Sequence, residues 1–81
     1  MRVKVLLFAS LRDFAGAPEL TLELRAGAVM RDAWQALVDQ HPGLAPYGAA
    51  VSCARNADYA RMDVPLADED EVAFLPPVSG G

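Results

Sequence analysis

One cysteine, one histidine and one lysine stand among 81 residues, and each scarcity removes a class of chemistry. A lone Cys53 cannot form an internal disulfide, and a lone His41 leaves any zinc site to rely on carboxylates. The sequence has no glycine-rich phosphate loop, no recognisable nucleophile and base pair, and no spaced set of metal ligands. It has no run of Lys or Arg, and its formal net charge is −4. Neither nucleic acid nor an anionic membrane is therefore an expected partner; a basic protein surface suits it better. The longest apolar stretch near the start, Val5 to Ala9, is too short for a signal-peptide core or a membrane span, so the chain reads as cytoplasmic. Two of the scarce residues read as structural. Cys53 lies in an apolar run, as a small core residue does. His41 precedes Pro42, where a helix must stop, and reads as a solvated end-of-helix residue.

What remains is a globular balance, with 53% apolar and 22% charged residues, in a length that holds one domain with a modest core. Residues 2–8 alternate as a strand, with Val3, Val5 and Leu7 on one face and Arg2, Lys4, Leu6 and Phe8 on the other. Ser10 to Asp13 has the form of a capping box, and Gly16 is placed to close a single helical turn before Pro18. Residues 19–25 alternate again, Leu20, Leu22 and Leu24 against Glu19, Thr21, Glu23 and Arg25, as in an antiparallel strand covered on one side. From Ala28 to Gln40 the period becomes helical: Met30, Ala33, Trp34, Leu37 and Val38 form one stripe. On that stripe Trp34 reads as core rather than as a ligand platform.

Pro42 and Gly43 end this helix, a loop runs to Gly48, and Ala49 to Arg55 reads as a third strand. Asn56-Ala57-Asp58 is turn chemistry, followed by a short strand around Tyr59 to Met62. Asp68-Glu69-Asp70 makes another turn. Glu71 to Leu75 is the last strand, with Val72 and Phe74 opposite Ala73 and Leu75. The four clustered acids, Asp68 to Glu71, lack the ligand spacing and bend glycine of a hard-cation loop and read as a solvated turn. The element order predicts an α+β domain, residues 1–75, with one main helix packed on a mixed sheet: the β-grasp or ubiquitin-like arrangement. In that arrangement the first and last strands pair in parallel at the centre. Leu6 and Phe8 then gather with Ala73 and Leu75 on the face away from the helix, as an exposed apolar patch of the kind partners use. The competing expectation is burial of this patch beneath the loop around Pro65 and Leu66.

The most pointed chemistry is at the end of the sequence, Pro76-Pro77-Val78-Ser79-Gly80-Gly81. Read as a free C-terminus, this is an extended tail, residues 76–81, whose last carboxylate is itself a candidate reactive group. The glycines give the thinnest backbone available, able to thread a narrow channel, while the prolines stiffen the approach and stop the sheet ladder. Six residues at roughly 3.3 Å each reach about 20 Å, enough to enter another protein's pocket. The plainer alternative is a frayed tail without function.

Leu7-Phe8-Ala9-Ser10-Leu11-Arg12-Asp13-Phe14-Ala15-Gly16 resembles the opening motif of the small subunit of molybdopterin synthase, the MoaD family. Residues 66–81, from Leu66-Ala67-Asp68 through Phe74-Leu75-Pro76-Pro77-Val78-Ser79-Gly80-Gly81, resemble its closing motif, and Asn56 falls where the family has its third-strand asparagine. Arg55 departs from the apolar residue usual before that asparagine. Glu69 replaces a turn glycine, which implies another turn type or backbone strain.

The resemblance implies a sulfur carrier. A MoeB-like adenylating enzyme of the ubiquitin-activating kind would use ATP and Mg²⁺ to convert the Gly81 carboxylate into an acyl-adenylate. A sulfur donor, such as a cysteine desulfurase system, would then leave a thiocarboxylate there. Bound to the large, MoaE-like synthase subunit in a heterotetramer, the tail would deliver sulfur to cyclic pyranopterin monophosphate, building the dithiolene of molybdopterin. The chain itself would bind no cofactor or metal and contribute no acid–base residues. By the same resemblance Gly81 is the modified residue, Gly80 the one needing least bulk, and Phe8, Tyr59, Leu75, Pro76 and Pro77 the partner-binding residues. Three alternatives stay open: a carrier for thiamine, cysteine or tRNA thiolation, a lysine-conjugated protein modifier, and a β-grasp binding module with an inert tail.

Overall fold

The computed structural model describes residues 1–77; the expectations for Gly80 and Gly81 lie outside the described residues. The chain opens with β1 (Arg2–Leu7), whose Val3, Val5 and Leu7 are buried as their alternation requires. It turns into α1 (Ala9–Ala15), closed by Gly16 in the left-handed region at φ 78°, a conformation that costs a glycine nothing. Strand β2 (Glu19–Glu23) returns antiparallel to β1, and α2 (Met30–Gln40) crosses the sheet. A 3₁₀ segment (Pro42–Tyr47) leads to β3 (Ser52–Arg55), β4 (Asp58–Ala60) and β5 (Glu71–Leu75). The five strands lie in the order β2-β1-β5-β3-β4. β1 and β5 run parallel at the centre, Val5 opposite Val72 and Leu7 opposite Phe74, the β-grasp topology that the element order predicts.

The core lies between one sheet face and α2. Met30, Ala33, Trp34 and Leu37 pack onto Val3, Val5, Val72 and Phe74, with Leu11 of α1 and Leu44 of the 3₁₀ segment closing the ends. The Trp34 and Phe74 rings meet at 5.2 Å with a 57° tilt, an edge-to-face style of contact that joins helix to central strand. Cys53 is buried in the same cluster; its thiol donates to the Ala60 carbonyl at 3.2 Å. Burial pushes that thiol's pKa up, so it stays protonated and unreactive at neutral pH. Asp32 starts α2 by accepting the Val29 N–H at 2.8 Å, a carboxylate at the positive end of the helix dipole.

Four local expectations are corrected. Ser10 does not cap α1. The cap position is Phe8 and the helix starts two residues earlier than a Ser10 cap would place it, straight from the strand end, and has seven residues rather than a single turn, because seating Leu11 fully in the core draws the chain into helix at once. Residues 42–47 are a 3₁₀ helix rather than a loop. β3 is shorter than residues 49–55, because the Tyr47 carbonyl accepts from both Ala50 and Val51 and holds them in a turn. Asp70 is not part of a solvated turn: it is 7% exposed.

The turn before β5 carries strain where a glycine would relieve it. Glu69 sits at φ 69°, a left-handed conformation that costs an L-residue roughly 1–2 kcal/mol. Glu69→Gly is expected to raise stability by about 0.5–1 kcal/mol despite the extra freedom of the unfolded chain, read as a higher urea midpoint at unchanged slope.

Candidate functional site

Among the described residues no helix covers the sheet face opposite α2, and the two ends of that face differ in chemistry. At the start of β1, Arg2, Lys4, Thr21, Glu69 and Glu71 line a shallow polar cleft. Arg2 pairs with Glu23 at 3.1 Å and Lys4 with Glu19 at 3.5 Å, both on the surface, where such pairs add little. Toward the end of β1 the same face becomes apolar. Leu6 lies opposite Ala73, Ala73 opposite Ala54, and Ala54 opposite Tyr59, so one register row crosses β1, β5, β3 and β4 with no charge in it. One step further along, Phe8 and Leu75 extend the row by strand parity, with Ser52 opposite Leu75. Phe8 is 44% exposed and Tyr59 81%, while Leu6, Ala54, Ala73 and Leu75 are half-buried beside them.

The competing expectation for this patch fails. Leu66 packs into the helix-side core, and its N–H donates to the Ala28 carbonyl at 2.9 Å, so the loop through Pro65 lies behind the sheet and leaves the apolar row open. Strand β5 ends at Leu75, and Pro76 and Pro77 follow directly, Pro76 half-buried and Pro77 exposed. Of the sequence-predicted residues, Phe8, Leu75, Pro76 and Pro77 thus share one end of the sheet, at the point where the chain leaves it, and Tyr59 lies one row further in, opposite Ala54. Phe8 and Leu75 follow from parity alone. Tyr59 reaches the row only because β4 pairs with β3 in the register that sets it against Ala54. Ala54 was missed; its signal is alternation with core-facing Cys53.

Behind this face lies a polar cluster around Asp70, the residue that the acidic run assigns to a solvated turn. The Asp70 carboxylate accepts from Arg55 Nε at 2.7 Å, from the Ala67 N–H at 2.8 Å and from Asn56 Nδ2 at 3.0 Å. Asn56 in turn exchanges hydrogen bonds with Glu71, accepting its N–H at 2.9 Å and donating its own backbone N–H to its carbonyl at 2.7 Å. The signal was present: Asp70 is in phase with Val72 and Phe74, so period two turns it inward. Burial alone would push its carboxyl up, but Arg55, the Ala67 N–H and Asn56 outweigh it and hold the group below the usual carboxylate value. The sign follows. A depressed folded-state pKa contributes stability above the unfolded value, near 3.9, that is lost as pH falls through the folded one. Asp70→Asn is expected to cost about 1–3 kcal/mol at neutral pH and to flatten the loss of stability below about pH 4, seen in urea titrations across pH.

Among the described residues no three His, Cys, Asp or Glu side chains are grouped to hold a metal ion, and no helix is long and apolar enough to cross a membrane. His41 ends α2, its N–H donating to the Leu37 carbonyl at 2.7 Å, remote in sequence and element from the apolar row.

Residues 5–81 match the ThiS family. The chain is 41% identical over 83 aligned positions to the molybdopterin synthase sulfur carrier subunit of Chlamydomonas reinhardtii, covering 100% of both. It is 36% identical to the Arabidopsis thaliana protein of that name, over 100% of this chain and 84% of the other. Its fold superposes on the solution structure of the small archaeal modifier protein 1 from Methanosarcina acetivorans with a TM-score of 0.83 and 34% identity, covering 99% and 96% of the two chains.

Proposed function

The chain belongs to the ThiS family, and from that premise we propose that it is the sulfur-carrier subunit of a molybdopterin synthase. The observation that carries this reading is the full-length likeness to two relatives of that name, joined to an open apolar surface at the base of a Gly-Gly tail.

The chemistry divides between tail and body. In the activating partner a Gly81 carboxylate oxygen attacks the α-phosphorus of ATP and pyrophosphate leaves; a carboxylate, a poor electrophile, becomes an acyl-adenylate. A donor's persulfide sulfur adds to the acyl carbon and AMP departs, and a second thiol then cleaves the acyl disulfide, leaving a thiocarboxylate on Gly81 and a disulfide on the donor side. Docked on the large synthase subunit through Phe8, Tyr59, Leu75, Pro76 and Pro77, the body sets the tail's origin, and the thiocarboxylate sulfur is transferred to cyclic pyranopterin monophosphate. Two such transfers supply the dithiolene sulfurs. Acid–base groups and phosphate-binding residues belong to the partners, and this chain acts as the sulfur-bearing, non-catalytic subunit of a cytoplasmic enzyme. ATP and Mg²⁺ are used by the activating partner.

Affinity purification of the tagged chain from its own cells tests the reading. A stoichiometric large molybdopterin synthase subunit is the expected companion; a thiazole synthase in its place would overturn it. A second reading, conjugation of Gly81 to protein lysines, is favoured by the likeness to a small archaeal modifier protein. It predicts branched lysines carrying the Gly80-Gly81 remnant in protease digests of cell protein.

A further inference from the structure

Strand β4 is a weak element for the place it occupies. It has three residues, sits at the sheet edge, pairs only with β3, and is reached through a turn whose two residues, Asn56 and Ala57, both have left-handed backbone at φ 49° and 74°. Two successive positive φ values suit the twist of a tight hairpin, but Ala57 pays a steric penalty that glycine would not. Yet β4 carries Tyr59, the most exposed large hydrophobic side chain among the described residues. Strand β3 is held on β5 by its own ladder from Ser52 to Arg55, so what is left to fix, if Tyr59 is to stand at a defined height beside Ala54 and Ala73, is the turn end of the hairpin.

The Asp70 cluster does this from behind the sheet. Arg55 lies opposite Val72 in register, so its side chain stands on the helix side, as Asp70 does two residues before Val72. Arg55 is the last residue of β3 and the register partner of Asp58, the first of β4. Its bond to Asp70 ties the hairpin to the residue preceding β5, while Asn56 ties the turn to Glu71, the first residue of β5. Asp70 is in turn anchored by the Ala67 N–H, and its carbonyl accepts the Lys4 N–H at 2.9 Å, which reaches the central strand β1. The edge hairpin is thereby coupled to both central strands at the end remote from the tail.

We propose that Arg55 and Asp70 are positioning residues, an ion-pair latch that fixes the β3–β4 hairpin on β5 and so sets where Tyr59 stands on the docking face. The role rests on the docking face proposed above. Arg55 supplies a charged bond of fixed direction that an aliphatic side chain cannot.

Arg55→Met in the full chain tests it, with two readouts. Amide hydrogen exchange at Asp58–Ala60 is expected to quicken about tenfold while β1 and β2 keep their protection. Affinity for the purified large synthase subunit is expected to fall about tenfold, and this loss should nearly vanish in a Tyr59→Ala background, because the latch acts through Tyr59. An equal loss with and without Tyr59, or unchanged exchange at Asp58–Ala60, would overturn the latch. Should the wild-type chain fail to bind the large subunit, the functional reading falls, and the exchange comparison alone decides whether Arg55 holds the hairpin. If Arg55→Met does not fold, Arg55→Lys, which keeps the charge but loses the flat Nε donor, is read by the same criteria.

Discussion

Deleting Gly81 is expected to reduce sulfur transfer by at least about a hundredfold while leaving the folded body unchanged. The truncated chain still ends in a glycine carboxylate, that of Gly80, so chemistry at the terminus is not removed but displaced. One residue of extended chain is about 3.3–3.6 Å, far beyond the roughly 1 Å misplacement that costs two orders of magnitude when a reacting group must meet its partner in a near-attack geometry. Melting temperature should not move, since among the described residues the core cluster ends at Phe74. A binding module with an inert tail would keep its activity after this deletion, which separates that alternative from all carrier readings. Gly80→Val should also fail in transfer, because a β-branched side chain thickens the segment that has to thread the partner's channel.

Leu75→Asp is expected to weaken binding to the large synthase subunit by about a hundredfold or more, measured by titration calorimetry, with little loss of fold. Leu75 is half-buried on the open face, next to Ser52 in register and at the exit of the tail. A carboxylate there costs little while it faces water, but on docking it must be desolvated in the middle of an apolar row with no cation among Leu6, Phe8, Ala54, Ala73 and Tyr59. Truncating Tyr59 to Ala should cost less than Leu75→Asp in affinity and almost nothing in stability, because an 81% exposed side chain contributes mainly when a partner covers it.

Where periodicity was strong, the sequence was legible. The period-two runs of β1 and β5 placed Val3, Val5, Leu7, Val72 and Phe74 in the core, and the helical stripe from Met30 to Leu37 placed α2 above them. The full element order pointed to the β-grasp arrangement, and that arrangement carried the parallel central pair and the gathering of Leu6 and Phe8 with Ala73 and Leu75. Local rules failed where tertiary packing overrode them. Ser10 had the residue type of a cap, but Leu11 needed the core more than the helix needed a side-chain cap. The prolines at 42 and 46 suggested a loop, yet proline at the first position suits a 3₁₀ turn as well.

The acidic run was the instructive error. Four adjacent acids look like one solvated feature, but the strand period beginning at Asp70 separates them: Glu69 faces water on a strained backbone, while Asp70 turns inward and gathers three donors. Charge composition describes a run; alternation assigns each member a side. The same distinction explains the site. Residue types alone pointed to the tail and its carboxylate, whereas the surface that positions it depended on register across β1, β5, β3 and β4, which no single segment contains.

The central claim, that Gly81 carries sulfur, is tested most directly by intact mass spectrometry of the chain after incubation with ATP, Mg²⁺, the activating enzyme and a sulfur donor. The account predicts a gain equal to the replacement of one oxygen by one sulfur, localised to Gly81 by fragmentation and absent when ATP is withheld. An unmodified carboxylate at Gly81 under the complete conditions would contradict it.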